Sequence, residues 1–191
     1  MLGKLALAML LSGGFLMGWG DGVRADNASD GKFALLIGID DYKYAGKLHG
    51  AVADVTHFRD LLTSEKFNFA PENIKTIVDP EGESASHATT ENIVAGFAWL
   101  AKKAKDYKAA NPGKDATIFF EYSGHGSQVP VPEGVVKPDE KDGYDETIVP
   151  VDSRDPEKKH FDIIDDDIGN FISAVSASTR NAVYVFDSCH S

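Results

Sequence analysis

Hydrophobic and polar positions follow two rhythms along the chain, and the switches between them mark out its elements. Lys32–Ile39, KFALLIGI, is an almost unbroken apolar run, as expected of a strand buried on both faces. From Ala51 to Thr63 the rhythm turns helical, with Val52, Val55, Phe58, Leu61 and Leu62 at helical spacing. Ile74 to Val78 is a second, shorter strand, ended by Asp79-Pro80. A longer helix from about Thr90 to Ala110 gathers Ile93, Val94, Phe97, Leu100 and Ala104 on one face, and Asn111-Pro112-Gly113 terminates it. Thr117 to Tyr122, TIFFEY, is a third strand, and a long polar excursion follows from Ser127 to about Asp162. Asp165 is predicted as the N-cap of a third helix, with Ile168, Phe171, Ile172 and Val175 on its apolar stripe. Ala182 to Phe186 is the fourth strand. No internal repeat or low-complexity segment interrupts this series.

Strands alternating with amphipathic helices predict an α/β fold: a mainly parallel sheet with helices on both faces and right-handed crossovers. In such sheets ligands bind beyond the carboxyl ends of the strands. The segment leaving the third strand is YSGHGSQ and the one leaving the fourth is DSCHS, so His125 and Cys189 are delivered to the same sheet edge. A thiol becomes a strong nucleophile once a neighbouring imidazole takes its proton, and the imidazolium then protonates the leaving amine of a peptide bond. Ser123, Gly124, Gly126 and Ser127 are small enough for a substrate backbone to approach closely. The amides of Gly126 and Cys189 are the candidates for an oxyanion hole, where each donor contributes about 2.7–4 kcal/mol. Singly, a strand-end cysteine is commonly core packing and Gly-His-Gly is commonly a turn. At matching strand ends, the pair favours chemistry.

Composition narrows the picture. A length of 191 residues suits one domain, and 42% hydrophobic with 26% charged residues is ordinary for a soluble globular protein. The net charge of -11 argues against nucleic acid and for cationic partners. It is concentrated between Asp139 and Asp167, where 12 acidic residues face 4 basic ones. Such a concentration is commonly a solvated loop, and it is also how calcium is held. At the N-terminus, Lys4, the apolar stretch Leu5 to Met17 and Val23-Arg24-Ala25 form the pattern of an export signal. Ser12, Gly13 and Gly14 interrupt the apolar stretch, which is too short to span a bilayer well. The expectation is residues 1–25 as a cleaved signal, 26–31 as a linker, and a secreted or periplasmic protein, with a membrane anchor as the weaker option. Cys189 is the only cysteine, so no internal disulfide forms. A free thiol in an exported protein is a liability unless it is kept for chemistry.

Five segments in order, FALLIGIDDY, LHGAVADV, YSGHGSQ, DGYDETIVPVD and VFDSCHS, closely resemble the caspase-like domain of metacaspases, from about Lys32 to Ser191. True caspases carry Gln-Ala-Cys at the nucleophile and a histidine roughly 50 residues upstream. Here the flank is Asp-Ser-Cys and the interval is 64 residues, which favours metacaspase. The resemblance implies a caspase-like three-layer fold and a cysteine endopeptidase cutting after Arg or Lys. It places Asp54, Ser123 and Asp187 around the basic P1 side chain of a protein or peptide substrate. Two carboxylates in a recessed site complement a guanidinium or ammonium and disfavour an acidic side chain. Without the resemblance, Asp54 reads as a solvent-facing helical residue and Asp187 as one that orients the active-site loop.

The resemblance further implies a calcium site at Asp145, Asp165 and Asp166, whose oxygen-only ligands suit calcium better than zinc, and no organic cofactor. The family's fourth calcium carboxylate falls beyond Ser191. So do two more strands and their helices, and the expectation is a C-terminally incomplete domain whose fourth strand is an exposed apolar edge. A second reading therefore stands beside the peptidase: a non-catalytic caspase-like binding or assembly module that docks to a partner chain.

Overall fold

A computed structural model describes residues 30–80, 87–135, 141–157 and 161–189. The export signal, most of the linker and the start of the acidic stretch at Asp139 lie outside the described residues. Four strands, β1 (Lys32–Ile39), β2 (Ile74–Asp79), β3 (Thr117–Ser123) and β7 (Asn181–Asp187), form one sheet in the order β2-β1-β3-β7. All of its pairings are parallel. The helices are α1 (Ala51–Thr63), α2 (Thr90–Ala110) and α3 (Asp165–Ser176).

Side chains alternate across a strand, so β1 feeds two cores at once. Phe33, Leu35, Ile37 and Ile39 pack with Phe97 and Leu100 of α2 and Phe171 and Val175 of α3. Ala34 and Leu36 point the other way, into a smaller core with Val55 and Leu62 of α1 and Phe69. The larger core is fixed by aromatic contacts, among them Phe97 stacked on Phe171 at 4.4 Å. The α/β fold with a mainly parallel sheet and helices on both faces is therefore observed, and the predicted strands and helices fall within a residue or two of their places. No helix among the described residues is long and apolar enough to cross a membrane.

Two expectations need correction. The polar excursion after Ser127 contains a second, antiparallel sheet of β4 (Gly126–Pro130), β5 (Tyr144–Ile148) and β6 (Ile163–Ile164). Its strands are short and turn Asp145 and Thr147 inward, so no apolar alternation announced them. Asp165 is not the N-cap of α3. That position belongs to Ile164, which is extended because it still pairs with Thr147 in β6, and the helix starts directly from the strand. Asp165, Asp166 and Asp167 occupy the first turn, where negative charge is favoured by the helix dipole.

Among the described residues β7 has a strand partner on one side only, β3, and Val183 is half exposed on it. It is the apolar edge expected from the sequence.

Candidate active site

The register of β3 and β7 settles how the two chemical segments meet. Ser123 lies level with Asp187, and the Gly124 amide continues the pairing by donating to the Asp187 carbonyl at 3.2 Å. His125 and Cys189 each follow two residues beyond that level, one on each of two adjacent parallel strands. The backbones then touch: a Cβ on Gly126 would lie 1.6 Å from the Cys189 carbonyl oxygen, so only glycine fits at 126 in this arrangement. It is the carbonyl of Cys189 that meets Gly126 here. The thiol of Cys189 is free and exposed.

His125 is held from three directions. Its amide donates to the Tyr42 hydroxyl at 2.8 Å, and its carbonyl accepts from the Tyr122 hydroxyl at 2.8 Å. Its Nε2 lies 2.7 Å from the Gly46 carbonyl oxygen. A carbonyl only accepts, so Nε2 carries the proton and a neutral ring keeps its lone pair on Nδ1. The Tyr42 ring packs at 4.6 Å from the imidazole. The Tyr122 hydroxyl also bridges the Val149 backbone and lies 3.3 Å from that of Tyr42. Burial pushes Tyr42 up to about 12 and Tyr122 well above its ordinary value, so both stay protonated. Gly124 gives these hydroxyls room, since a Cβ there would lie 2.6 Å from the Tyr42 oxygen. Tyr42 and Tyr122 stand in the quoted segments GIDDY and EYSGHG, but nothing in the sequence pattern assigned them this role.

The acidic residues converge on the opposite face of β3. Ser123 Oγ donates to Asp54 Oδ2 at 3.1 Å, which joins α1 to the sheet edge, and Asp187 is Ser123's neighbour on β7. Asp54, Ser123 and Asp187 are thus brought together as expected. Asp40 sets the start of α1, and so the position of Asp54, by accepting from the amides of Gly50 at 3.0 Å and Ala51 at 2.9 Å. One acid had no sequence signal at all. Glu121 is fully buried on β3, and neither of its carboxyl oxygens has a hydrogen-bond partner. Burial raises its pKa to about 8, with the charges of Asp54 and then Asp187 adding to the shift.

Asp145 is buried on β5, while Asp165 and Asp166 open α3 at the end of β6, the strand paired with β5. Asp165 lines a cavity of about 150 Å³ together with Ser188, the residue before Cys189. As placed, these carboxylates do not fit a calcium ion. Among the described residues no group of three or more His, Cys, Asp or Glu side chains stands close enough to hold a metal.

Comparison with known proteins agrees with this geometry. The family model described as "Metacaspase, peptidase C14 domain" matches residues 32–191. Metacaspase-1 of Coccidioides immitis is 34% identical over 165 residues, covering 86% of this chain and 32% of that protein. Metacaspase-1A of Aspergillus oryzae is 37% identical over 158 residues, covering 83% and 34% respectively. The chain spans about a third of the length of these curated relatives. With a family match that runs from the first strand through Cys189, and with His125 and Cys189 at adjacent strand ends, the chain belongs to the metacaspase family.

Proposed function

We propose that the protein is a cysteine endopeptidase that cleaves after Arg or Lys, with Cys189 as nucleophile and His125 as acid and base. The observation that carries this is the register of β3 against β7, with both chemical residues two positions past a common level. Nδ1 of His125 takes the thiol proton, since Nε2 is committed to Gly46. The Cys189 thiolate attacks the P1 carbonyl carbon, a C–S bond forms, and the carbonyl electron pair moves onto oxygen. The amides of Gly126 and Cys189 are assigned to that oxyanion. Its collapse breaks the C–N bond, and the amine leaves with the proton from His125. Water then attacks the thioester, giving its proton to His125 and releasing the thiolate. Asp54, Ser123 and Asp187 receive the basic P1 side chain. No step is routed through calcium. Export by a cleaved signal completes the reading, on the strength of the N-terminal pattern alone.

Cys189→Ala in the full-length protein should abolish cleavage of a peptide amide ending in Arg, with circular dichroism unchanged. Turnover at the parent rate would remove the dyad. The second reading, a non-catalytic module, draws on the open edge of β7. It requires that Cys189→Ala and His125→Ala leave every function of the protein intact.

A further inference from the structure

The acid that no motif announced lies directly beneath the residues assigned to P1. Residues two apart on a strand share a face, so Glu121 points to the same side of β3 as Ser123. That side faces α1, because Ser123 bonds Asp54 there. In register, Glu121 lies between Leu36 of β1 and Val185 of β7, one step below the Ser123–Asp187 level. The charged groups that act on it are Asp54 from α1 and Asp187 from β7, while its strand neighbours on both sides are apolar. A fully buried carboxyl with both oxygens unpartnered is rare in a native core, where such groups are ordinarily satisfied.

We propose that Glu121 is a specificity-determining residue of the P1 pocket: a third acid at its floor that is neutral while the pocket is empty and charged when a cationic side chain occupies it. This rests on the basic-P1 reading above. Asp187 is exposed and Asp54 half-buried, whereas Glu121 is fully buried, so of the three it is Glu121 that keeps its proton. An entering guanidinium or ammonium reverses the balance. It offsets the repulsion from Asp54 and Asp187, gives the Glu121 oxygens the donors they lack, and drives the Glu121 proton into the bulk solvent. Occupation by a cation is thereby coupled to release of a proton. An uncharged P1 side chain gains nothing from the third acid, and an acidic one meets two charges and a group that cannot relieve them.

Calorimetry on full-length protein carrying Cys189→Ala tests this, using a short peptide amide ending in Arg and buffers of differing ionisation enthalpy at neutral pH. The expected result is release of about one proton per peptide bound, and affinity that rises with pH and levels off above about 8. Adding Glu121→Gln should remove the proton release, flatten that profile and weaken binding roughly tenfold. Unchanged proton release and affinity in the Glu121→Gln protein would overturn the proposal while leaving the basic-P1 reading in place. So would a flat pH profile in the parent, which needs no Glu121 variant to fold. If the parent binds the same peptide ending in norleucine as tightly as the Arg peptide, the basic-P1 reading itself fails, and the role of Glu121 with it.

Discussion

Three consecutive residues of β3, Glu121, Tyr122 and Ser123, divide the site into two halves of opposite construction. Tyr122 faces the larger core, where its hydroxyl and that of Tyr42 hold the backbone of His125. On that side the groups of His125 are met by partners: its amide, carbonyl and ring nitrogen each have one. Glu121 and Ser123 face α1, where three acids gather around one hydroxyl and the deepest has no partner at all. In the first half, hydrogen bonds fix the imidazole and its backbone in one place. The second is left short of positive charge. A strand's alternation is enough to keep the two apart, so a group of acids and a hydrogen-bonded histidine stand side by side without sharing partners.

The acidic half should therefore cost stability, and its cost should depend on pH. Glu121 has its pKa raised in the folded protein from an ordinary 4.5 to about 8. Between those values the folded state binds a proton that the unfolded state has released, so stability falls as pH rises through this window. The contribution is fully present below about 4.5 and lost above about 8. Its full size is on the order of 5 kcal/mol. Denaturant melts of parent and Glu121→Gln, at pH values at the two ends of the window, should show the variant losing most of that dependence. An identical fall in both would mean that other groups carry it and that the acidic half is not strained.

Specificity is the next largest effect. With Asp54 and Asp187 beside the bound P1 side chain, Arg or Lys should be preferred over Asp by more than about a hundredfold in kcat/KM, roughly 2.7 kcal/mol. Asp187→Asn should shrink that ratio to about tenfold, a loss felt mostly in KM. Added salt should shrink it as well, because Asp187 is exposed and its charge is open to screening. Equal cleavage after Asp and Arg would contradict the assignment of the whole acidic half.

How much of this was legible in the sequence follows from the same alternation. The parallel strands were visible because β1 and β3 are long apolar runs buried on both faces. The meeting of His125 and Cys189 followed from topology, since both leave strands at the carboxyl edge. The second sheet was hidden because β4 and β5 are short and polar, and because β5 buries Asp145 and Thr147 where a pattern search expects apolar residues. Glu121 was hidden for a related reason: in TIFFEY it counts as one polar residue in an apolar strand, and only packing reveals that it is buried on the α1 side. Tyr42 and Tyr122 are core aromatics, and the sequence pattern assigns them nothing further. The Tyr42 hydroxyl matters only once His125, 83 residues away in sequence, is folded against it, and the Tyr122 hydroxyl only once the chain turns back on it three residues later.

The smallest effect tests the hydrogen-bonded half, and it should leave the acidic half alone. Tyr122→Phe keeps the ring in the larger core and removes one hydroxyl. His125's carbonyl still accepts from the Val149 amide at 3.0 Å, but the Val149 carbonyl loses the donor described for it and the Tyr42 hydroxyl loses a neighbour. Leaving one or two buried groups unsatisfied costs about 2 kcal/mol, measurable as a lower denaturant midpoint with an unchanged slope. The imidazole is still gripped by Gly46 and packed against the tilted Tyr42 ring, so kcat should fall only several-fold, with KM nearly constant. The ratio of Arg to Asp cleavage should not move, because Tyr122 faces away from Asp54, Ser123 and Asp187. A Tyr122→Phe protein whose P1 preference shifts as far as that of Asp187→Asn would show that the two halves are coupled through β3, and that its alternation does not insulate them.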